Sequence, residues 1–140
     1  MEVWNTPFKD TEYPSVGMFI NMHENEVDEV FAIVAPDGID RYPKYLISYG
    51  RNSVEVKYYE EAFSPERGYE LLVRNGPKVC SLIWNTSPSV RSYEDYVTDK
   101  NKLKHFIIFG GDNILEVVTA DVPKIEVISS PASIRLSVNV

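Results

Sequence analysis

The chain has 140 residues, of which 44% are hydrophobic and 25% charged, with a formal net charge of −7; this is the size and composition of one globular domain rather than of a disordered chain. The single cysteine, Cys80, excludes an intramolecular disulfide and a multi-cysteine metal site. Negative charge disfavours a nucleic-acid backbone or an anionic membrane surface as partner, and no apolar run approaches the roughly 18 residues that span a bilayer.

The first residues, Met1-Glu2-Val3-Trp4-Asn5, lack the basic-then-apolar order of a secretory signal, so the expected compartment is the cytoplasm. Pro7 and Pro14 interrupt the opening stretch, and 16–22 reads as a strand. Over 24–35 two templates compete. Val27, Val30, Phe31 and Val34 fall at i, i+3, i+4 and i+7, one stripe of a helix with acids opposite. The run 30–35 is also continuous, rich in β-branched residues and ended by the turn signal Pro36-Asp37-Gly38. The helix is the working expectation and the strand stays open.

Residues 45–49 read as a strand, Gly50-Arg51-Asn52 as a turn, and 53–58 as a strictly alternating strand with Val54, Val56 and Tyr58 on one face. Together they suggest a β-hairpin with a three-residue loop. Ser64-Pro65-Glu66 has the chemistry of a helix start, with an N-cap serine and proline in the first helical position, and Asn75-Gly76-Pro77 ends that helix. Next come a buried-type strand over 78–84 that contains Cys80, a loop over 85–89, and a short helix over 92–97 capped by Ser92. A second hairpin follows, with strands 103–109 and 114–119 around Gly110-Gly111-Asp112-Asn113. Residues 124–128 and 134–138 alternate as further strands. The expected fold is therefore α+β, a single domain over 1–140: a mainly antiparallel sheet of about 6–7 strands built from hairpins, with two or three short helices.

Charge gives the functional lead. Residues 1–40 hold nine acids and one base, Lys9, or −8, whereas the remaining hundred hold twelve acids and thirteen bases, or +1. A concentrated negative field suits a basic protein partner, because complementary fields speed encounter and suppress wrong partners. Tyrosine supplies contact area at low entropic cost. The expected function is a non-catalytic, acidic protein-interaction module, with the compositional profile of an inhibitor or immunity protein that neutralises a basic toxin or nuclease. Its expected partner-binding residues are Glu24, Glu26, Asp28 and Glu29 for steering and Tyr45, Tyr49 and Tyr58 as anchors.

Catalytic signals are sparse. Gly110-Gly111 lies between two strands, not at the strand-to-helix junction a phosphate loop needs. The two histidines, His23 and His105, do not show metal-helix spacing, so no metal and no cofactor are expected. The alternative reading is a small-molecule-binding domain or small enzyme with its polar centre at His105, Asp112 and Glu116, since Glu116 can face the strand of His105 across the second hairpin. The same pair would serve equally as a structural cross-strand contact.

Overall fold

The computed structural model describes residues 1–60, 79–96 and 103–131. Among these the architecture is mainly β: nine strands in two antiparallel sheets, with one short helix. The expected helix over 64–75 and the expected strand over 134–138 lie outside the described residues.

The five-stranded sheet runs in the order β1 (Glu2–Val3), β6 (Ser81–Trp84), β7 (Lys104–Phe109), β8 (Asn113–Thr119), β5 (Ser53–Glu60). The four-stranded sheet runs β2 (Ser15–His23), β3 (Glu26–Ala35), β4 (Lys44–Ser48), β9 (Lys124–Ile128). The two pack face to face. Val30, Ala32, Val34, Ile47 and Tyr49 from one meet Phe106, Ile108, Leu115 and Val117 from the other, with Trp4, Phe8 and Cys80 filling the same core. Alternate residues of each strand supply this interface, as the two-residue period of a strand requires.

The expected helix over 24–35 is a strand. Val30, Ala32 and Val34 are buried at a spacing of two, with Ala35 buried at the strand's end, whereas Val27 of the helical stripe is exposed. The β-branched run decides the outcome, because it pairs along its whole length with β2. A two-residue turn closes this hairpin, with Glu24 at φ 52° and Asn25 at φ 68°, the left-handed pair a type I′ turn needs.

The expected first hairpin does not form. β4 bonds to β3 and β9, while β5 bonds to β8 in the other sheet. Alternation fixes which residues of a strand face the core, but two such strands can face each other across a sandwich as well as lie side by side. Gly50, at φ 79°, turns the chain out of one sheet, and a Cβ there would collide with the Asp121 carboxylate. That carboxylate accepts the Asn52 backbone N–H at 2.9 Å and its side-chain N–H at 3.0 Å. The β4–β5 crossing is thereby tied to the β8–β9 crossing, which returns the chain to the four-stranded sheet.

The second hairpin, β7–β8, is as expected, with Gly110 and Gly111 in its turn; the Gly111 N–H reaches the Pro14 carbonyl at 3.0 Å. The short helix lies earlier than expected. Helix α1 spans Pro88–Tyr93 and is followed by a 3-10 turn at Glu94–Tyr96. Its cap is Ser87, whose hydroxyl accepts the Val90 N–H at 3.1 Å, while Ser92 sits in the last turn and donates to the Pro88 carbonyl. Ser87-Pro88 repeats the Ser-Pro start signal read at Ser64-Pro65, and proline in the first turn outweighs the acids after Ser92. Val90 packs with Leu103 and Val118 on the outer face of the five-stranded sheet. Leu82, Trp84, Ile107, Phe109 and Ile114 form a further cluster on that face. β7 and β8 are therefore buried on both sides, which explains their nearly continuous apolar sequence.

Candidate functional site

The nine acids of the first 40 residues do not make one patch. Glu2 lies on β1, Asp10 and Glu12 in the irregular stretch before β2, and Asp37 and Asp40 beyond the far end of β3. Ten residues of strand separate that end from the β2–β3 turn, about 30 Å at the usual rise. What does gather is the turn group. Glu24 and Glu26 are exposed and Asp28 and Glu29 half-buried, all within six positions. Arg51 approaches Asp28 at 3.4 Å, and His23 stands 3.9 Å from Glu24.

The apolar row of this hairpin leaves the sandwich as it approaches the turn. Val16 is 5% exposed and Met18 half-buried, but Ile20 is 42% exposed, Met22 55% and Val27 56%. Met22 and Val27 are direct cross-strand partners, and Ile20 sits on the same face two positions away. The register slips between Asn21 and Met22, leaving Asp28 as the extra residue of a β-bulge. An apolar strip rimmed by Glu24, Glu26, Asp28 and Glu29 results. Ile20 and Met22 were not singled out by sequence, and Val27 was read only as part of a helical stripe, although the spacing of 16, 18, 20 and 22 along one strand face was there to be counted.

The tyrosines chosen as anchors are mostly occupied by the fold. Tyr49 is wholly buried, its ring 6.3 Å from Trp4 and 6.5 Å from Phe106, and burial pushes its hydroxyl well above the usual phenol range. It offers a partner no surface. Tyr45 is half-buried with its ring 5.6 Å from Phe8. Tyr58 keeps an exposed edge, but its hydroxyl donates to the Val16 carbonyl at 2.7 Å and so joins β5 to β2. The placement has one cause: all three project into, or along the margin of, the space between the sheets.

The alternative polar centre assembles in part. His105 stands opposite Val118 and Glu116 opposite Ile107, so the two are diagonal neighbours on one face. His105 Nε2 lies 2.9 Å from Glu116 Oε1, and Nδ1 lies 2.8 Å from the Ser87 hydroxyl. The Tyr59 hydroxyl donates to Glu116 Oε2 at 2.5 Å. If Ser87 donates to Nδ1, Nε2 carries its proton toward Glu116, and both ring nitrogens are satisfied. The elements of a Ser-His-acid relay are thus present, but Ser87 is 0% exposed, His105 1% and Glu116 2%, and Trp84 stacks on the His105 ring at 6.0 Å. No substrate reaches that serine in this conformation. Ser87 is also the helix cap, so the network fixes α1 onto the sheet. Asp112 does not join; it is exposed in the β7–β8 turn. Ser87 and Tyr59 were missed by sequence reading because their proximity is purely tertiary.

A cleft of about 500 Å³ opens on the opposite face of β7, bounded by Trp4, Ile83, Lys104, Phe106, Asp121 and Val122. His105 and Glu116 do not line it. Cys80 is buried, donates to the Phe8 carbonyl at 3.2 Å, and has its pKa pushed up to about 11 by burial, the opposite of an activated thiol. Among the described residues no group of three or more His, Cys, Asp or Glu could hold a metal ion, and no helix is long and apolar enough to cross a membrane. No family model, no curated protein and no solved structure matches this chain.

Proposed function

We propose that this chain is a non-catalytic protein-binding module of the inhibitor or immunity type, acting in the cytoplasm, which holds a basic partner protein through the tip of its β2–β3 hairpin. One observation carries the reading: Ile20, Met22 and Val27 emerge from the core as an exposed apolar strip beside Glu24, Glu26, Asp28 and Glu29. An apolar centre with a charged rim is the usual anatomy of a protein interface. The acids would steer encounter over about 8 Å at physiological salt, and the apolar strip would slow release. The His105–Glu116 centre then has a structural role, holding α1 onto the five-stranded sheet.

The test compares retention on immobilised wild type with retention on the Glu24→Lys/Glu26→Lys/Glu29→Lys variant, using native lysate and identifying bound chains by mass. A protein of high isoelectric point held at low salt, released near 0.5 M salt and lost on the variant is the expected result. Equal retention by both surfaces overturns the reading, as does selective retention of acidic proteins only.

A further inference from the structure

The backbone of β2 adds something its side chains do not. Along an antiparallel ladder each residue turns both its N–H and its C=O to the same side, and successive residues alternate. The Tyr49 N–H donates to the Val30 carbonyl at 3.0 Å, so Val30 bonds toward β4, as do Ala32 and Val34 two and four residues on. Their partners on β2 are Ile20, Met18 and Val16. These three must therefore direct their backbone groups away from β3, to the open side of the sheet. The Tyr58 hydroxyl on the Val16 carbonyl is the independent check, since it bonds on that side. Gly111 likewise reaches the Pro14 carbonyl. These two contacts cover the start of the strand. Beyond them, Met18 and Ile20 each present a donor and an acceptor outward.

Among the described residues β2 is the edge of its sheet, and residues 15–22 carry neither charge nor proline, the devices that ordinarily discourage strand pairing. We infer that the edge of β2 from Met18 to Met22 is a strand-addition site, which takes an extended segment with alternating apolar residues and lysine or arginine at its ends. The segment would complete the ladder at Met18 and Ile20 and cover Ile20 and Met22 with its own apolar side chains. Charge selects the occupant. The strand itself is neutral, but Glu24, Glu26, Asp28 and Glu29 lie at one end and Asp10 and Glu12 before the other. A second copy pairing antiparallel about Met18 would bring Glu24 of each chain toward Glu12 of the other, so like charges oppose self-pairing. The inference rests on the basic-partner reading and names how that partner engages.

The probe is the peptide acetyl-Lys-Val-Thr-Val-Thr-Val-Lys-amide, titrated into the full 15N-labelled chain at low salt. Its control is the same peptide N-methylated at the central valine and both threonines, which keeps the charge and removes ladder donors on both edges. The expected result is binding at least tenfold tighter for the unmethylated peptide, with the amides of Met18 and Ile20 shifted and slowed in hydrogen exchange. Met18→Pro should abolish that difference while leaving the fold intact, because this N–H makes no bond to β3. Equal binding by both peptides, with shifts confined to 24–29, overturns strand addition but leaves the charge-based reading standing. No binding by either peptide overturns strand addition as well. Sedimentation as a dimer that Met18→Pro dissolves would assign the edge to a second copy instead. If the peptide pairs as expected but the charge-reversed hairpin retains its lysate proteins, the edge site stands and the basic-partner reading falls.

Discussion

The β7–β8 and β2–β3 hairpins are built from the same elements, two antiparallel strands and a short turn, yet they relate to solvent in opposite ways. β7–β8 lies in the middle of its sheet with both faces covered, so its polar groups must find partners inside the protein; His105 and Glu116 do so through each other, Ser87 and Tyr59. β2–β3 begins in the core at Val16 and Val34 and ends in solvent at Met22 and Val27, with one backbone edge open among the described residues. Stability concentrates in the first hairpin and capacity for recognition in the second, because a surface that can still form bonds is one the fold has not already used.

Three variants bear on that contrast. Glu116→Ala should have the largest effect, a loss of about 3–5 kcal/mol, because it removes the carboxylate that the buried His105 ring bonds and leaves a cavity in a dry interior. The checks are urea unfolding and a fall in Tm on the order of 10 °C. Ile20→Ala beside it should cost less than about 0.5 kcal/mol, as surface substitutions do; a comparable loss in the two would erase the distinction between the hairpins. Tyr58→Phe, which removes the bond to the Val16 carbonyl but leaves the ring, should cost about 1 kcal/mol by the urea midpoint. A result near zero would mean that the start of β2 is held by packing alone.

The smallest effect concerns acid. Burial alone would raise Glu55, but the Lys57 ammonium at 3.1 Å and the hydroxyls of Ser89 and Tyr93 outweigh it and hold the carboxyl below its ordinary value of 4.5. A depressed acid contributes stability that is complete above its unfolded value and lost as pH falls through the folded one. Glu55→Gln should therefore remove a few tenths of a kcal/mol at pH 7 and less at pH 3, below the ordinary carboxylate value, read from paired urea curves. Equal losses at both pH values would deny Glu55 any charge-dependent role.

Sequence was informative where strands announce themselves locally. The expected strands at 16–22, 45–49, 53–58, 103–109, 114–119 and 124–128 all occur, with ends shifted by a residue or two. It failed where tertiary context arbitrates. Residues 24–35 satisfy a helical stripe and a strand at once, and only the partner β2 distinguishes them. β4 and β5 looked like a hairpin because periodicity reports which residues face the core but not which neighbour the backbone chooses. For the candidate sites, the acids of the turn and the meeting of His105 with Glu116 were readable, the latter from counting across the β7–β8 turn. The burial of Tyr49, the isolation of Asp112 and the open edge of β2 were not, since each depends on a second sheet or on its absence alongside.

The clasp of Asn52 and Gly50 on Asp121 makes the two loops that exchange the chain between sheets a single matched pair. Lengthening either one alone would pull its carboxylate or amide out of reach, so natural or engineered insertions should be tolerated poorly at 49–52 and 120–123. The Asp37–Asp40 segment, with exposed side chains at Asp37, Ile39 and Asp40, is the more permissive place to splice in a tag or to open the chain for circular permutation.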